Sequence, residues 1–214
     1  MEPLRRNVVS AGLLALVLGT GLYAFEPSIV NAQGAAPAEN LVRFSSPTMG
    51  PTDAKVHIVE FLDPACETCA AFFPLVKAIM AEHKGKVRLS VRHLAFHKNS
   101  DFVVRALEAS RKQGKYWETL GGLFAAQSTW AVNHVVQPPQ VLAVLGKLGL
   151  DMPRLQSDMA APAIGQLIAQ DLSDAKALKV TQTPEYFVNG KRLDKFGEEQ
   201  LRNLVRDQVK AAYR

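Results

Sequence analysis

Residues 56–73 read V-H-I-V-E-F-L-D-P-A-C-E-T-C-A-A-F-F. The first half is apolar and β-branched, with Val56, Ile58, Val59, Phe61 and Leu62, which is the composition of a buried strand. Asp63-Pro64 breaks that run, because proline fixes φ and has no N–H for a ladder. Cys66 and Cys69 follow directly, separated by Glu67 and Thr68, and an alanine- and phenylalanine-rich helix begins there. A C-x-x-C pair at a helix N-terminus is a redox arrangement for a physical reason. Unpaired N–H groups and the positive end of the dipole stabilise a thiolate on the first cysteine. The second, one turn further on, can reach back and resolve a mixed disulfide. This reading makes Cys66 the nucleophile and Cys69 the resolving thiol.

The totals narrow the class. A chain of 214 residues holds one domain with a sizeable core and room for an insertion. Its net charge of +5 is spread over scattered lysines and arginines without a basic run, which gives no support to nucleic-acid binding. There are only 2 cysteines, both in the motif, so no structural disulfide remains to staple the fold. Half a zinc site is disfavoured too, since four ligands are usual and there is no second pair.

The first 32 residues read as a targeting segment. Arg5 and Arg6 precede an uncharged run from Val8 to Phe25, and Val30-Asn31-Ala32 offers small residues for cleavage. An inner-membrane anchor is the alternative, as the run reaches the lower limit for a span, about 17 residues. Residues 33–40, with Ala35, Ala36, Pro37 and Ala38, read as a linker. Export would place a thiol pair in an oxidising compartment, here the periplasm.

Leu41 to Phe44 reads as a short first strand. The helix after Cys69 contains Pro74, which should kink it, and ends before Gly85. Lys86 to Arg92 alternates as a strand with one buried face. Ser100 is placed to cap the next helix. From there to about Val180 the pattern is helical almost throughout, with further starts at Pro138-Pro139 and at an Asp151 cap. Strand character returns at Glu185 to Val188, Asn189-Gly190 signals a tight hairpin, and Glu198-Glu199 opens a last helix. The expectation is α/β with a mixed sheet: residues 41–99 and 180–214 form one domain, and 100–179 an all-helical insertion.

E-F-L-D-P-A-C-E-T-C-A-A-F-F-P, the helical insertion and V-T-Q-T-P-E-Y-F-V-N-G-K together resemble the DsbA-like branch of the thioredoxin superfamily, over nearly everything after residue 40. The resemblance implies a thioredoxin fold and a thiol–disulfide oxidoreductase acting on protein thiols and disulfides with no organic cofactor, reset by a membrane redox partner. It implies a cis Pro184 against the cysteine pair, a Thr183 backbone that can hydrogen-bond bound peptide, and Glu60 as a buried acid that moves protons to and from Cys69. A carboxylate inside an apolar strand should indeed have a raised pKa. Glu67-Thr68 departs from oxidising relatives, which carry a histidine there. Negative charge at Glu67 should make Cys66 less acidic and the protein a weaker oxidant, so a reductase or isomerase is the alternative. The short segment before Val56 argues for a monomer.

The remaining candidates carry less. A copper protein holding Cu(I) between the two thiolates is the rival from another class, without the methionine and histidine clustering that such a site calls for. His93 and His97 read as loop histidines, His57 as a strand residue, and His83 as a base suited to a helix end. Trp117, Phe124, Trp130, Phe72 and Phe73 read as core.

Overall fold

The elements follow one another as α1 (Ala38–Leu41), β1 (Thr48–Met49), β2 (Val56–Leu62), α2 (Glu67–Glu82), β3 (Val87–His93), α3 (Ser100–Arg111), α4 (Tyr116–Ala125), α5 (Gln127–Trp130), β4 (Ala131–Val132), β5 (Val135–Val136), α6 (Pro138–Leu145), α7 (Met152–Met159), α8 (Pro162–Ala177), β6 (Glu185–Val188), β7 (Lys191–Arg192) and α9 (Glu198–Ala212). This is a computed structural model that describes residues 38–214; the expected targeting segment and most of the expected linker lie outside the described residues.

The main sheet is mixed, in the order β1-β3-β2-β6-β7. β2 is its centre. It pairs parallel with β3, Val56 opposite Val87 through Leu62 opposite His93, and antiparallel with β6, Ile58 opposite Val188 through Phe61 opposite Glu185. A strand hydrogen-bonded along both edges and covered on both faces reads as a nearly continuous apolar run, which is why residues 56–62 are what they are. Side chains alternate between the faces. Ile58, Leu62, Val91, Tyr186 and Val188 join one buried cluster with Cys69, Val76 and Ile79 of α2 and Leu201 and Val205 of α9. Val59, Phe61 and Phe187 join a second cluster, with Leu41, Leu94, Ala175, Leu178 and Val180.

Four local expectations are corrected. Leu41 ends a helix rather than starting a strand, and the edge strand is Thr48–Met49, antiparallel to Ser90 and Leu89. Leu41 is drawn into the second cluster, and Arg43 is held by Asp174 at 2.6 Å, so neither is free to join an edge. β3 is buried on both faces, because α8 covers the one carrying Ser90 and Arg92. Arg92 donates to Asp171 at 2.8 Å and to Asp174 at 2.5 Å, and to the carbonyls of Asn40 and Leu41, both at 2.9 Å. Ser100 is the first residue of α3 rather than its cap; Asn99 stands at the cap in the left-handed region, φ 63°. The expected helical stretch also contains the β4–β5 hairpin, which turns through Asn133 and His134 at φ 50° and 60°.

Elsewhere the local signals and the structure agree. The side chain of Asp151 accepts from the Arg154 N–H at 3.1 Å, a helix cap. Asn189 and Gly190 both have positive φ, 49° and 81°, as the tight hairpin turn between β6 and β7 requires.

Candidate active site

The turn between β2 and α2 is built around Asp63. Its carboxylate is fully buried and accepts the Ala65, Phe96 and His97 N–H groups, each at 2.8 Å. His97 Nδ1 lies 2.7 Å from it, and the Ser100 hydroxyl donates to it. One side chain thereby ties the end of the central strand to the loop after β3 and to the start of α3. Gln127, at the start of α5, donates to the carbonyls of Pro64 at 2.8 Å and Cys66 at 3.0 Å. The backbone that presents the cysteines is thus clamped from two sides.

Cys66 sits at the N-cap of α2, and both cysteines are free thiols. Their environments differ sharply. Cys66 keeps 8% of its surface, enough for a partner sulfur to touch, whereas Cys69 has 0%. The hydrogen bond with Cys69, set against burial and helped by Thr183 and the backbone of residues 68 and 69, brings the Cys66 thiol down to about 5. Cys69 is pushed well above the ordinary thiol range, first by burial, then by its hydrogen bond to Cys66 and by the charge of Glu60. One sulfur is therefore anionic near neutral pH and the other is held as a thiol.

Thr183 and Pro184 lie against this pair. The Thr183–Pro184 bond is cis, and the Cys66 thiol donates to the Thr183 carbonyl at 3.3 Å. Thr183 is half-buried and Pro184 buried, at the entry to β6. The structure thus brings together residues 117 positions apart in the chain.

Glu60 points to the same face of β2 as the cluster that holds Cys69, and is 1% exposed. Tyr186 donates to Glu60 Oε1 at 2.9 Å, while Oε2 has no partner among the described residues. Burial pushes this carboxyl up to about 8, against the pull of the Tyr186 hydrogen bond. Glu60 is consequently a neutral acid at pH 7 beside a buried thiol, able to give or take one proton. Tyr186 stacks on Phe72, and Phe72 meets the partly exposed Phe196 in a tilted contact with centroids 4.5 Å apart.

Glu67 and Thr68 are exposed. The sequence argument expected the Glu67 charge to make Cys66 less acidic; in the structure that thiol answers chiefly to Cys69, burial and Thr183. His93 corrects a second reading. It stands at the strand end where the sequence put it, but it is buried rather than a simple loop histidine, with Nε2 2.8 Å from the Tyr116 hydroxyl. His57 meets Ser90 Oγ at 2.8 Å, and burial with Arg88 nearby lowers it to about 4. Sequence reasoning missed Asp63 as an organiser, together with Gln127 and Tyr186. Among the described residues, no three histidine, cysteine or acidic side chains are grouped to hold a metal, and no helix is long and apolar enough to cross a membrane.

The family model described as Thioredoxin matches residues 44–207. The chain is 33% identical over 144 residues, 67% of its length, to the Na(+)/H(+) antiporter NhaA of Herminiimonas arsenicoxydans, but spans only 22% of that protein. Probable disulfide bond formation protein D of Bacillus cereus is 28% identical over 191 residues, covering 86% of this chain and 87% of that one. Among solved structures, a thioredoxin-like oxidoreductase from Silicibacter pomeroyi superposes with a TM-score of 0.69 at 29% identity, over 83% of this chain and 98% of the other. DsbA-like oxidoreductases share the fold.

Proposed function

We propose, since this chain belongs to the thioredoxin family and has its DsbA-like fold, that it is an exported thiol–disulfide oxidoreductase working on protein substrates. The observation that carries this reading is the asymmetry of the cysteine pair. Cys66 is touchable and brought down to about 5, while Cys69 is enclosed and held protonated beside Glu60. A substrate thiolate attacks the Cys66 sulfur of the oxidised pair; a substrate disulfide is attacked by the Cys66 thiolate of the reduced one. Either route forms a mixed disulfide on Cys66, which Cys69 or a second substrate thiol resolves. Thr183 and Pro184 border the place where the partner backbone must lie.

The direction we infer is oxidation of substrates. An acidic thiolate stabilises the reduced pair and so makes the disulfide a better acceptor of electrons. A thiol at about 5 lies between DsbA, about 3.5, and thioredoxin, about 7. The expected donor of oxidising equivalents is a membrane redox partner, the working compartment the periplasm, and the protein a monomer. Equilibration with glutathione buffers tests the reading, with Cys66→Ser as control. The potential should fall between about −270 mV and about −120 mV, the thioredoxin and DsbA values. A value at or below about −270 mV would instead mean a reductase or isomerase that must be kept reduced. No equilibration at all would end the oxidoreductase reading.

A further inference from the structure

Beneath the cysteine pair, the sheet carries a second set of buried polar groups that thiol chemistry at Cys66 does not use. His93 lies on β3 opposite Leu62, two places beyond the Val91 that faces Glu60, so the two side chains share a face on neighbouring strands. His93 Nε2 is 2.8 Å from the Tyr116 hydroxyl of α4. His93 Nδ1 is 3.6 Å from Glu108 Oε1 of α3, and both atoms are buried without a hydrogen-bond partner. The other Glu108 oxygen is held by Arg111 at 3.0 Å. Glu108 in turn lines a cavity of about 410 Å³, walled also by Ser45, Arg111, Lys112, Gln166 and Gln170.

We propose that Tyr116, His93 and Glu108 form a proton path between Glu60 and the water of this cavity, on the side of the sheet reached through α3 and α8. The inference rests on the oxidoreductase reading above and names the residues that reset its buried acid. When a substrate thiolate bonds to Cys66 Sγ, the Cys66–Cys69 bond breaks and Cys69 leaves with the electron pair. Cys69 takes its proton from the Glu60 carboxyl. The resulting carboxylate is enclosed, beside the hydrogen bond from Tyr186, and must regain a proton before the next cycle. The path supplies it: Tyr116, near enough to Glu60 to feel its charge, gives and receives at its hydroxyl through one bridging water, His93 takes a proton on one ring nitrogen as it releases the other, and Glu108 exchanges with the cavity. When a second substrate thiolate releases Cys66, the substrate carries away the disulfide and two electrons remain on the pair. Reoxidation runs the proton outward.

The groups facing His93 fit this use. They are Glu108 and Arg111 from α3, Tyr116 from α4, Arg92 beside it on β3 and Asp171 of α8, which accepts the backbone N–H of His93 at 2.7 Å. Burial and the two arginines bring His93 down to about 3, so the ring stays neutral, with one donor and one acceptor nitrogen. Burial pushes Glu108 up to about 7, which lets it exchange protons near neutral pH. An ion pair between the two is thereby excluded near pH 7.

The test is multiple-turnover oxidation of a reduced dithiol peptide by the full chain, with glutathione disulfide resetting the pair, from pH 5 to 9, for wild type, Tyr116→Phe and Glu108→Gln. Circular dichroism checks folding, and iodoacetamide labelling follows Cys66. Both variants should keep the labelling profile of Cys66 yet turn over at least about tenfold more slowly, a modest share of what general acid catalysis supplies. Added imidazole should restore part of the rate in Glu108→Gln. If one variant fails to fold, the other still decides. Wild-type rates and pH profiles in a folded variant would overturn the path alone. A wild-type protein that does not react with glutathione would overturn the path together with the reading beneath it.

Discussion

Glu60 and Arg92 sit on adjacent strands of one sheet, each 1% exposed, and they serve opposite ends. Arg92 faces α8, where it meets Asp171 and Asp174 and two backbone carbonyls, so its charge is answered on every side. Glu60 faces α2 and the cysteines, where among the described residues it has one hydrogen bond from Tyr186 and no paired cation, and burial raises it to about 8. Burial with full pairing makes a fastening that keeps one charge state. Burial without it makes a group that keeps its proton at pH 7 and titrates close enough to neutrality to exchange it.

The largest effect should come from breaking the fastened side. Arg92→Met leaves Asp171 without its cation beneath α8 and Asp174 with Arg43 alone, and removing one partner of a buried pair costs about 3–5 kcal/mol. Urea denaturation should show that loss while the titration of Cys66 stays where it was; a shifted titration would mean that the two faces are not independent. Glu60→Gln should act the other way. Because the folded pKa is raised to about 8 from 4.5, the stability linked to that proton is lost as pH rises between those values. The variant should therefore gain on wild type across that window, by at most about 1.4 kcal/mol per pH unit, with slower reduction of the disulfide. Equal pH profiles for the two proteins would place Glu60 among ordinary ionised carboxylates. Asp63→Asn comes next, since it removes a buried acceptor from several donors; thermal unfolding should report about 1–3 kcal/mol. Glu67→Gln should be the smallest, moving the Cys66 titration by less than about half a unit, because an exposed charge is screened by water and salt.

The order of these effects also shows where sequence was readable. Cys66 and Cys69 stand three apart at a strand–turn–helix, so the chemistry is written in adjacent residues. Glu60 was legible as an acid out of place in an apolar strand, and Asn189-Gly190 as a turn that only certain residues allow. Asp63, in contrast, read only as a breaker, because the donors that it collects, at Phe96, His97 and Ser100, come 33 to 37 positions later. Arg92 read as the solvent side of an alternating strand, since nothing local announces that α8 will bring Asp171 and Asp174 over it. Tyr186 and His93 failed for the same reason. A polar residue in a strand shows that something is unusual, but its partner is chosen by tertiary packing.

The central claim is that the two cysteines are unequal, and the pH dependence of alkylation tests it most directly. Reduced protein would be treated with iodoacetamide from pH 3 to 10, and the labelled residue located by mass spectrometry. The account predicts a rate that rises with an inflection at about 5, label on Cys66 alone, and an unreactive Cys69 throughout the neutral range. An inflection near 8.5, the value of an unperturbed thiol, or label shared between the two cysteines, would contradict it.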